Sequence, residues 1–274
     1  MSAFVTRFAP SPTYYLHLGH AASALQVWRQ AEIAGGQVLL RIEDIDTSRC
    51  RPEYVSAIFE DLAWLGLTWP TPVRVQSDHF EAYAACVEAL AGRGLVYRCF
   101  RTRAELAQLA DPLRPGPHDP IDEYERCQRG DPFAWRLSLS AAERALGPAV
   151  WTDLAFRELT PEGVRARSAE PGRLGDIVLA RKDSPSAYHL AATHDDALQG
   201  VTHVIRGEDL IDAPHIQTLL QVLLDWPQPI YQHHPLVTDE MGQKLSKREK
   251  SPTLANLRAA GISADQITQQ LGFG

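Results

Sequence analysis

Residues Arg7–His20 read RFAPSPTYYLHLGH, and the fold follows from how this stretch is built. Pro10 and Pro12 fix φ and push the residues before them toward extended backbone, so no helix runs through them. Ala3–Phe8 is a short apolar strand candidate. Leu18 to Ile33 carries a helical pattern, with Ala21, Ala24, Leu25 and Trp28 facing inward, and stops at Gly35-Gly36. The stretch is therefore a strand-to-helix connection. Within it, His17 and His20 stand three residues apart and share one face of the first helical turn. Gly19 lets a ligand approach the backbone. The helix N-terminus offers free N–H groups and the positive end of its dipole, and imidazoles can donate to phosphate oxygens. The arrangement suits a triphosphate. The same residues would also serve a Pro-rich loop entering a helix, with His17 and His20 as caps.

Further along, Val38–Ile42 is a continuous apolar run of the kind found in buried parallel strands. It ends in Glu43-Asp44-Ile45-Asp46, which puts carboxylates at the carboxyl edge of a strand, where open α/β sheets bind ligands. Pro52–Leu65 reads as a helix with Val55, Ile58, Phe59 and Leu62 as its apolar stripe. A second helix follows at His79–Gly92 and a strand at Leu95–Phe100. This alternation predicts an α/β fold, a doubly wound Rossmann-type parallel sheet. Residues 101–175 break the pattern with prolines from Pro112 to Pro171 and read as an inserted, loop-rich subdomain. Its better strand candidates are Phe133–Leu139 and, just past it, Ile177–Arg181. Tyr188–Thr193 and Val201–Ile205 return to strand-like patterns, and Ala213–Leu224 is a helix. Short C-terminal helices are expected at Leu254–Ala260 and Ala264–Leu271. The expected organisation is 1–100 and 176–240 as two halves of a catalytic domain, 101–175 as the insertion, and 241–274 as a basic loop with the terminal helices. Asp195 and Asp196, read as strand neighbours on opposite faces, are given a structural or helix-capping role.

The 274 residues are 45% apolar and 22% charged, ordinary for a soluble globular protein. A net charge of −7 argues against a non-specific polyanion binder. A local basic face would still suffice for phosphate contacts, and the candidates are Arg165, Arg167, Arg173, Arg181, Lys182 and the cluster Lys244, Lys247, Arg248, Lys250. No signal peptide and no apolar stretch long enough for a bilayer is present, so a cytoplasmic protein without a membrane partner is expected. Cys50, Cys86, Cys99 and Cys127 lack disulfide-rich spacing and are expected as reduced thiols.

A second signal stands at Lys244-Leu245-Ser246-Lys247-Arg248, after the turn residues Met241-Gly242. Two lysines around a serine suit a pyrophosphate and the charge that develops on it. The pair of motifs resembles the two signature elements of class I aminoacyl-tRNA synthetases. RFAPSPT at 7–13, LLRIEDIDTSR at 39–49 and GVTHVIRGEDL at 200–210 resemble the glutamyl branch. The length is similar to that of its truncated paralogues, the glutamyl-queuosine tRNA(Asp) synthetases. The resemblance covers nearly the whole chain. It implies ATP-dependent, tRNA-independent activation of L-glutamate to glutamyl-adenylate, with Mg²⁺ arriving on the ATP phosphates. Transfer to queuosine in the anticodon of tRNA(Asp) would follow. It implies glutamate contacts at Arg7, Ala9, Ser11, Glu43, Tyr188 and Arg206, and ATP contacts at His17, Gly19, His20 and Lys247. His17, His20, Lys244 and Lys247 carry over as the catalytic set. The residue types fit: a guanidinium forks onto a carboxylate, and Glu43 can hold an ammonium. Tyr188 could equally be a core aromatic, and Arg206 could pair with Glu208 or Asp209. The chain ends at Gly274, without room for an anticodon-binding domain, and a monomer is expected. A minimal glutamyl-tRNA synthetase acting on tRNA(Glu) and a catalytically silent tRNA-binding paralogue remain open as alternatives.

Two departures from the family stand out. Tyr14 replaces the glycine that usually follows PSPT, and it could stack on adenine, turn outwards or block the site. The zinc pattern of the insertion is degenerate: Cys99 is followed by Phe100 and Arg101 rather than a second cysteine, and Tyr124 and Cys127 stand one residue too close. Three ligands fall short of a closed zinc site, and His118, a conceivable fourth, is expected to be exposed. No zinc is expected, with packing or ion pairing through Arg101 holding the insertion instead.

Overall fold

The computed structural model describes residues 4–237 and 252–273. Lys244 and Lys247 lie outside the described residues, as does the rest of their loop. The chain starts with β1 (Val5–Phe8), α1 (Leu18–Ile33), β2 (Gln37–Ile42), α2 (Pro52–Trp64), β3 (Arg74–Val75) and α3 (Phe80–Gly92). The three strands pair in parallel in the order β1-β2-β3. α1 ends where Gly35 takes φ +61°, and Gly36 then passes so close to Phe4 that a Cβ there would sit 2.4 Å from the Phe4 carbonyl oxygen. Leu25, Val27, Leu40, Ile42, Ile58 and Leu62 form the core of this half.

Next come β4 (Val96–Cys99), α4 (Arg103–Ala107), α5 (Pro120–Arg129), β5 (Ala134–Leu137), α6 (Leu139–Thr152), β6 (Ala155–Thr160), β7 (Gly163–Ser168) and β8 (Val178–Ala180). β4 forms where expected but does not extend the parallel sheet. It pairs antiparallel with β5, which pairs antiparallel with β8. Nor is the stretch loop-rich. Two of its prolines stand inside helices rather than break the chain: Pro120 stands in the first turn of α5 behind the Asp119 cap, and Pro148 resumes α6 after a kink at Gly147. β6 and β7 form a hairpin.

The chain closes with α7 (Tyr188–Leu198), β9 (His203–Gly207), α8 (Ala213–Leu224), β10 (Ile230–His234), α9 (Leu254–Ala259) and α10 (Ala264–Gln270). β10 lies parallel between β6 and β9, giving the order β7-β6-β10-β9. The β6–β7 hairpin, inside the stretch read as an insertion, therefore widens the sheet of β9 and β10. This sheet abuts the first at β1: the Thr202 N–H donates to the Val5 carbonyl at 2.8 Å, and the Val5 N–H to the Thr202 hydroxyl at 2.9 Å.

Tyr188–Thr193, expected as a strand, is the first half of α7. Leu190, Ala191, Ala192, Thr193, Asp195 and Asp196 are all buried there. A helix covered on nearly every side shows no amphipathic stripe, and a short apolar run then reads like a buried strand. Asp195 and Asp196 consequently do not point to opposite faces and cap nothing; both turn into the protein.

Candidate active site

β1 delivers Arg7 and β9 delivers Arg206 to the seam where the two sheets meet. A cavity of about 220 Å³ opens there, lined by Arg7, Ala9, Ser11, Glu43, Tyr188 and Arg206 together with His20, Ser23 and Leu210. The six residues expected to contact one small molecule thus come together from β1 and the loop after it, the end of β2, the start of α7 and β9. His17 and Gly19 do not line this cavity.

Its charges are set from behind. The Arg7 Nε donates to Asp196 Oδ1 at 3.0 Å and its Nη1 to the Ile205 carbonyl at 3.3 Å. Glu43 accepts from Arg41 Nη2 at 3.0 Å. Burial raises the Glu43 carboxyl above its usual range, against the pull of Arg41 and Arg7. Across the cavity, Arg206 donates from Nη1 to the Tyr188 hydroxyl and from Nε to His233 Nε2, each at 3.3 Å, and lies over the Tyr231 ring. Its Nη2 is buried without a hydrogen-bond partner. A guanidinium nitrogen in that state is costly unless a ligand supplies an acceptor. Burial holds the Tyr188 hydroxyl above its ordinary range. It also pushes His189 down to about 4 and His233 to about 3, with Arg206 adding to both.

His17 caps α1. Its Nδ1 accepts the Gly19 N–H at 3.1 Å, and His20 Nδ1 accepts the His17 N–H at 3.2 Å, a capping box built from two imidazoles. Capping and ligand binding are therefore compatible here. With Nδ1 accepting, a neutral ring carries its proton on Nε2, which remains a donor. The ring centroids are 3.9 Å apart, and Leu254 N–H ties the neighbouring Leu16 carbonyl to α9.

Tyr14 turns outwards. It is 43% exposed and packs against Tyr15 and Tyr54 rather than lining the cavity. The residues left at the degenerate metal pattern do not fit a zinc ion. Tyr124 is 65% exposed while Cys99 is buried, and no three His, Cys, Asp or Glu side chains converge among the described residues. His118 is not exposed as expected: its Nδ1 meets Asp122 at 2.8 Å and its Nε2 accepts the Phe100 N–H. Asp122 also takes Arg126. Arg101 makes no part of that ion pairing and donates instead to the Gly116 carbonyl at 2.9 Å. The expected basic face is likewise engaged. Arg165 and Arg167 pair with Glu158, Arg173 with Glu170 and Asp212, and Arg181 with Asp183 and Asp46, while Lys182 donates to the Phe100 carbonyl.

The sequence reading missed Arg41, and it missed the role of Asp196. Arg41 is wholly buried and donates to Asp196 at 2.9 Å as well as to Glu43. The signal was present: an arginine inside an apolar strand needs buried acids around it. His233 and Tyr231 of β10, which back Arg206, carried no signal.

A parallel sheet seam with ligand-facing residues at the strand ends is the topology of a Rossmann-type ligand site. The defining pattern of tRNA synthetases class I (E and Q), catalytic domain, matches residues 3–266, and the chain belongs to that family of ligases. It is 41% identical to the glutamyl-Q tRNA(Asp) synthetase of Rhodobacter capsulatus, over 98% of this chain and 100% of that protein. It is 38% identical to glutamate–tRNA ligase 2 of Dinoroseobacter shibae, over 94% of this chain but 58% of that protein. Among solved structures, a glutamate tRNA ligase from Elizabethkingia meningosepticum in complex with its amino acid superposes with a TM-score of 0.72 at 28% identity. That match covers 90% of this chain and 52% of the ligase, so the chain spans about half of its length. No helix among the described residues is long and apolar enough to cross a membrane.

Proposed function

We propose that the chain activates L-glutamate with ATP, without tRNA, and passes the glutamyl group to queuosine in the anticodon of tRNA(Asp). The observation that carries the glutamate half is the cavity at the sheet seam, with one largely covered carboxylate, Glu43, and two buried guanidiniums, Arg7 and Arg206, on its walls. That set complements an amino acid with an acidic side chain: an ammonium for Glu43 and two carboxylates for the guanidiniums. In this reading the partnerless Arg206 Nη2 takes the side-chain carboxylate, alongside the Tyr188 hydroxyl. Ala9 and Ser11 line the floor, where the lack of bulk leaves room for the substrate.

An α-carboxylate oxygen then attacks the α-phosphorus of ATP. The new O–P bond forms as the bond to the β-phosphate oxygen breaks, giving glutamyl-adenylate and pyrophosphate. The protein's part is positioning and charge stabilisation. His17 and His20 are assigned to the phosphates through Nε2–H, and Gly19, whose N–H is held by the His17 cap, leaves room for their approach. Lys244 and Lys247 are assigned to the leaving pyrophosphate by their motif. Mg²⁺ carried on the ATP phosphates offsets their charge. In the second step a hydroxyl of the acceptor attacks the acyl carbon and AMP leaves.

The acceptor rests on the full-length similarity to glutamyl-Q tRNA(Asp) synthetases. The similarity to glutamate–tRNA ligases favours a second reading, charging of tRNA(Glu). The chain's place of work in either case is the cytoplasm, with the monomer as the acting form. Glutamate-dependent ATP–pyrophosphate exchange without tRNA, followed by glutamyl transfer to queuosine-bearing tRNA(Asp) or to tRNA(Glu), separates the two.

A further inference from the structure

Arg7 and Glu43 face the same cavity from neighbouring strands, and a chain of buried ion pairs joins them. Arg7 Nε meets Asp196 Oδ1 at 3.0 Å, Arg41 Nη1 meets the same oxygen at 2.9 Å, and Arg41 Nη2 meets Glu43 Oε1 at 3.0 Å. Arg41 Nη1 also donates to Gln199 Oε1 at 3.1 Å. The four charges balance, two cationic and two anionic, and none is open to water beyond a small fraction. α7 is fixed behind them: Asp195 forms an ion pair with Arg74 and accepts from Gln76 and Tyr83. Only the two ends of this chain, Arg7 and Glu43, reach the cavity.

We propose that Arg41 is a positioning residue for substrate recognition: its planar fork ties Glu43 to Asp196 and through it to Arg7, and so sets the spacing and ionisation of the two cavity charges. The inference rests on the reading of the cavity as a glutamate site. A guanidinium suits the task because its two terminal nitrogens reach two acids at once, which a lysine ammonium cannot do at the same spacing. Arg41 also favours the Glu43 carboxylate over its protonated form. The groups facing Glu43 are Arg41 on its own strand, Arg7 on β1, and Asp196 and Tyr188 on α7. Burial disfavours the Glu43 charge, and Arg41 and Arg7 oppose that effect. Without Arg41, Glu43 would hold its proton to higher pH and lose its attraction for an ammonium.

The test is calorimetric titration of the full chain with L-glutamate, and separately with ATP, from pH 6.5 to pH 8.5. Arg41→Met is expected to weaken glutamate at least about tenfold at pH 6.5, the scale of coupling within a buried charge network. That deficit should narrow as pH rises and Glu43 ionises, with ATP affinity within about twofold of the unaltered chain. Arg41→Lys should not restore binding. A deficit constant across pH, or shared equally by ATP, would make Arg41 merely structural and overturn the proposal. Should Arg41→Met fail to fold, the charge-neutral double variant Arg41→Met/Glu43→Gln serves in its place. Its glutamate affinity should lie less than about tenfold below that of Glu43→Gln alone, the remaining loss acting through Asp196 and Arg7, and a further loss of about tenfold or more would overturn the proposal equally. An unaltered chain that binds no glutamate at all would overturn the glutamate reading itself, a result distinct from any of these.

Discussion

Two clusters of ion pairs, one behind the cavity and one in the insertion, have the same distances and opposite surroundings. Arg41 meets Asp196 at 2.9 Å with both side chains almost fully covered, and Arg126 meets Asp122 at 2.9 Å with the two side chains 31% and 40% exposed. Distance alone would rank them equal. In the first, a low local dielectric makes each missing partner costly, so the charges must balance and the geometry is held. In the second, water and salt screen the pair, and it adds little. The crevice spends its buried charges on holding Arg7 and Glu43 in place. The stretch from Phe100 to Arg126 is joined by contacts that each matter less: His118 to Asp122, Arg126 over the Phe100 ring, Lys182 to the Phe100 carbonyl.

The contrast can be broken at several points. The largest effect is expected at Asp195, which forms an ion pair with Arg74 and accepts from Gln76, Tyr83 and His194. Asp195→Ala strands those donors and should cost about 3–5 kcal/mol, read by chemical denaturation. A cost below about 1 kcal/mol would mean that the buried network is no tighter than a surface one. Next, Arg206→Ala and Glu43→Ala should each weaken glutamate at least about 30-fold, as loss of one partner from a buried charged contact does, while leaving ATP much less affected. Equal loss of both ligands would undo the division of the site.

His233 gives the crevice a pH signature. Its folded pKa of about 3 lies well below the ordinary value of 6.5. The unfolded chain therefore binds more protons below pH 6.5, and stability falls as the solution is acidified. The loss should reach about 2 kcal/mol between pH 7 and pH 5 from this group alone. Asp61, raised to about 6 by burial, works in the opposite direction over part of that window. His233→Gln should flatten the acid limb of a stability-against-pH curve; an unchanged slope would place a water contact at His233. The smallest effect is expected in the insertion. Asp122→Ala should cost less than about 1 kcal/mol, and a chelator should leave the melting temperature unchanged. Stoichiometric zinc in the purified protein would contradict the second expectation.

The contrast also runs through what the sequence made legible. The strand–loop–helix at residues 5–33 could be read because Pro10, Pro12, Gly35 and the spacing of Leu25 and Trp28 each act locally. Five of the six expected residues sit in three local motifs, at 7–13, 39–49 and 200–210, while Tyr188 stands outside them. The α7 helix could not be read: burial on all sides removes the pattern on which periodicity depends. The prolines of residues 101–175 misled for a related reason, since proline opens a helix as readily as it ends one. Pro161-Glu162-Gly163, between two runs with strand character, was a turn signal for the β6–β7 hairpin that went unread. The partners of Arg41 lie about 155 residues away on α7, and no local rule reaches that far. The outward turn of Tyr14 was one of three outcomes left open in the sequence, since it depends on Tyr54 of α2, a tertiary contact.

The most direct test of the central claim is glutamate-dependent ATP–pyrophosphate exchange by the full chain in the absence of any tRNA. Exchange should require glutamate and be lost in Arg206→Ala. Exchange that appears only when tRNA is added would contradict tRNA-independent activation and favour the charging reading. No exchange under either condition would contradict the claim that the cavity and the His17–His20 helix start form a working activating site.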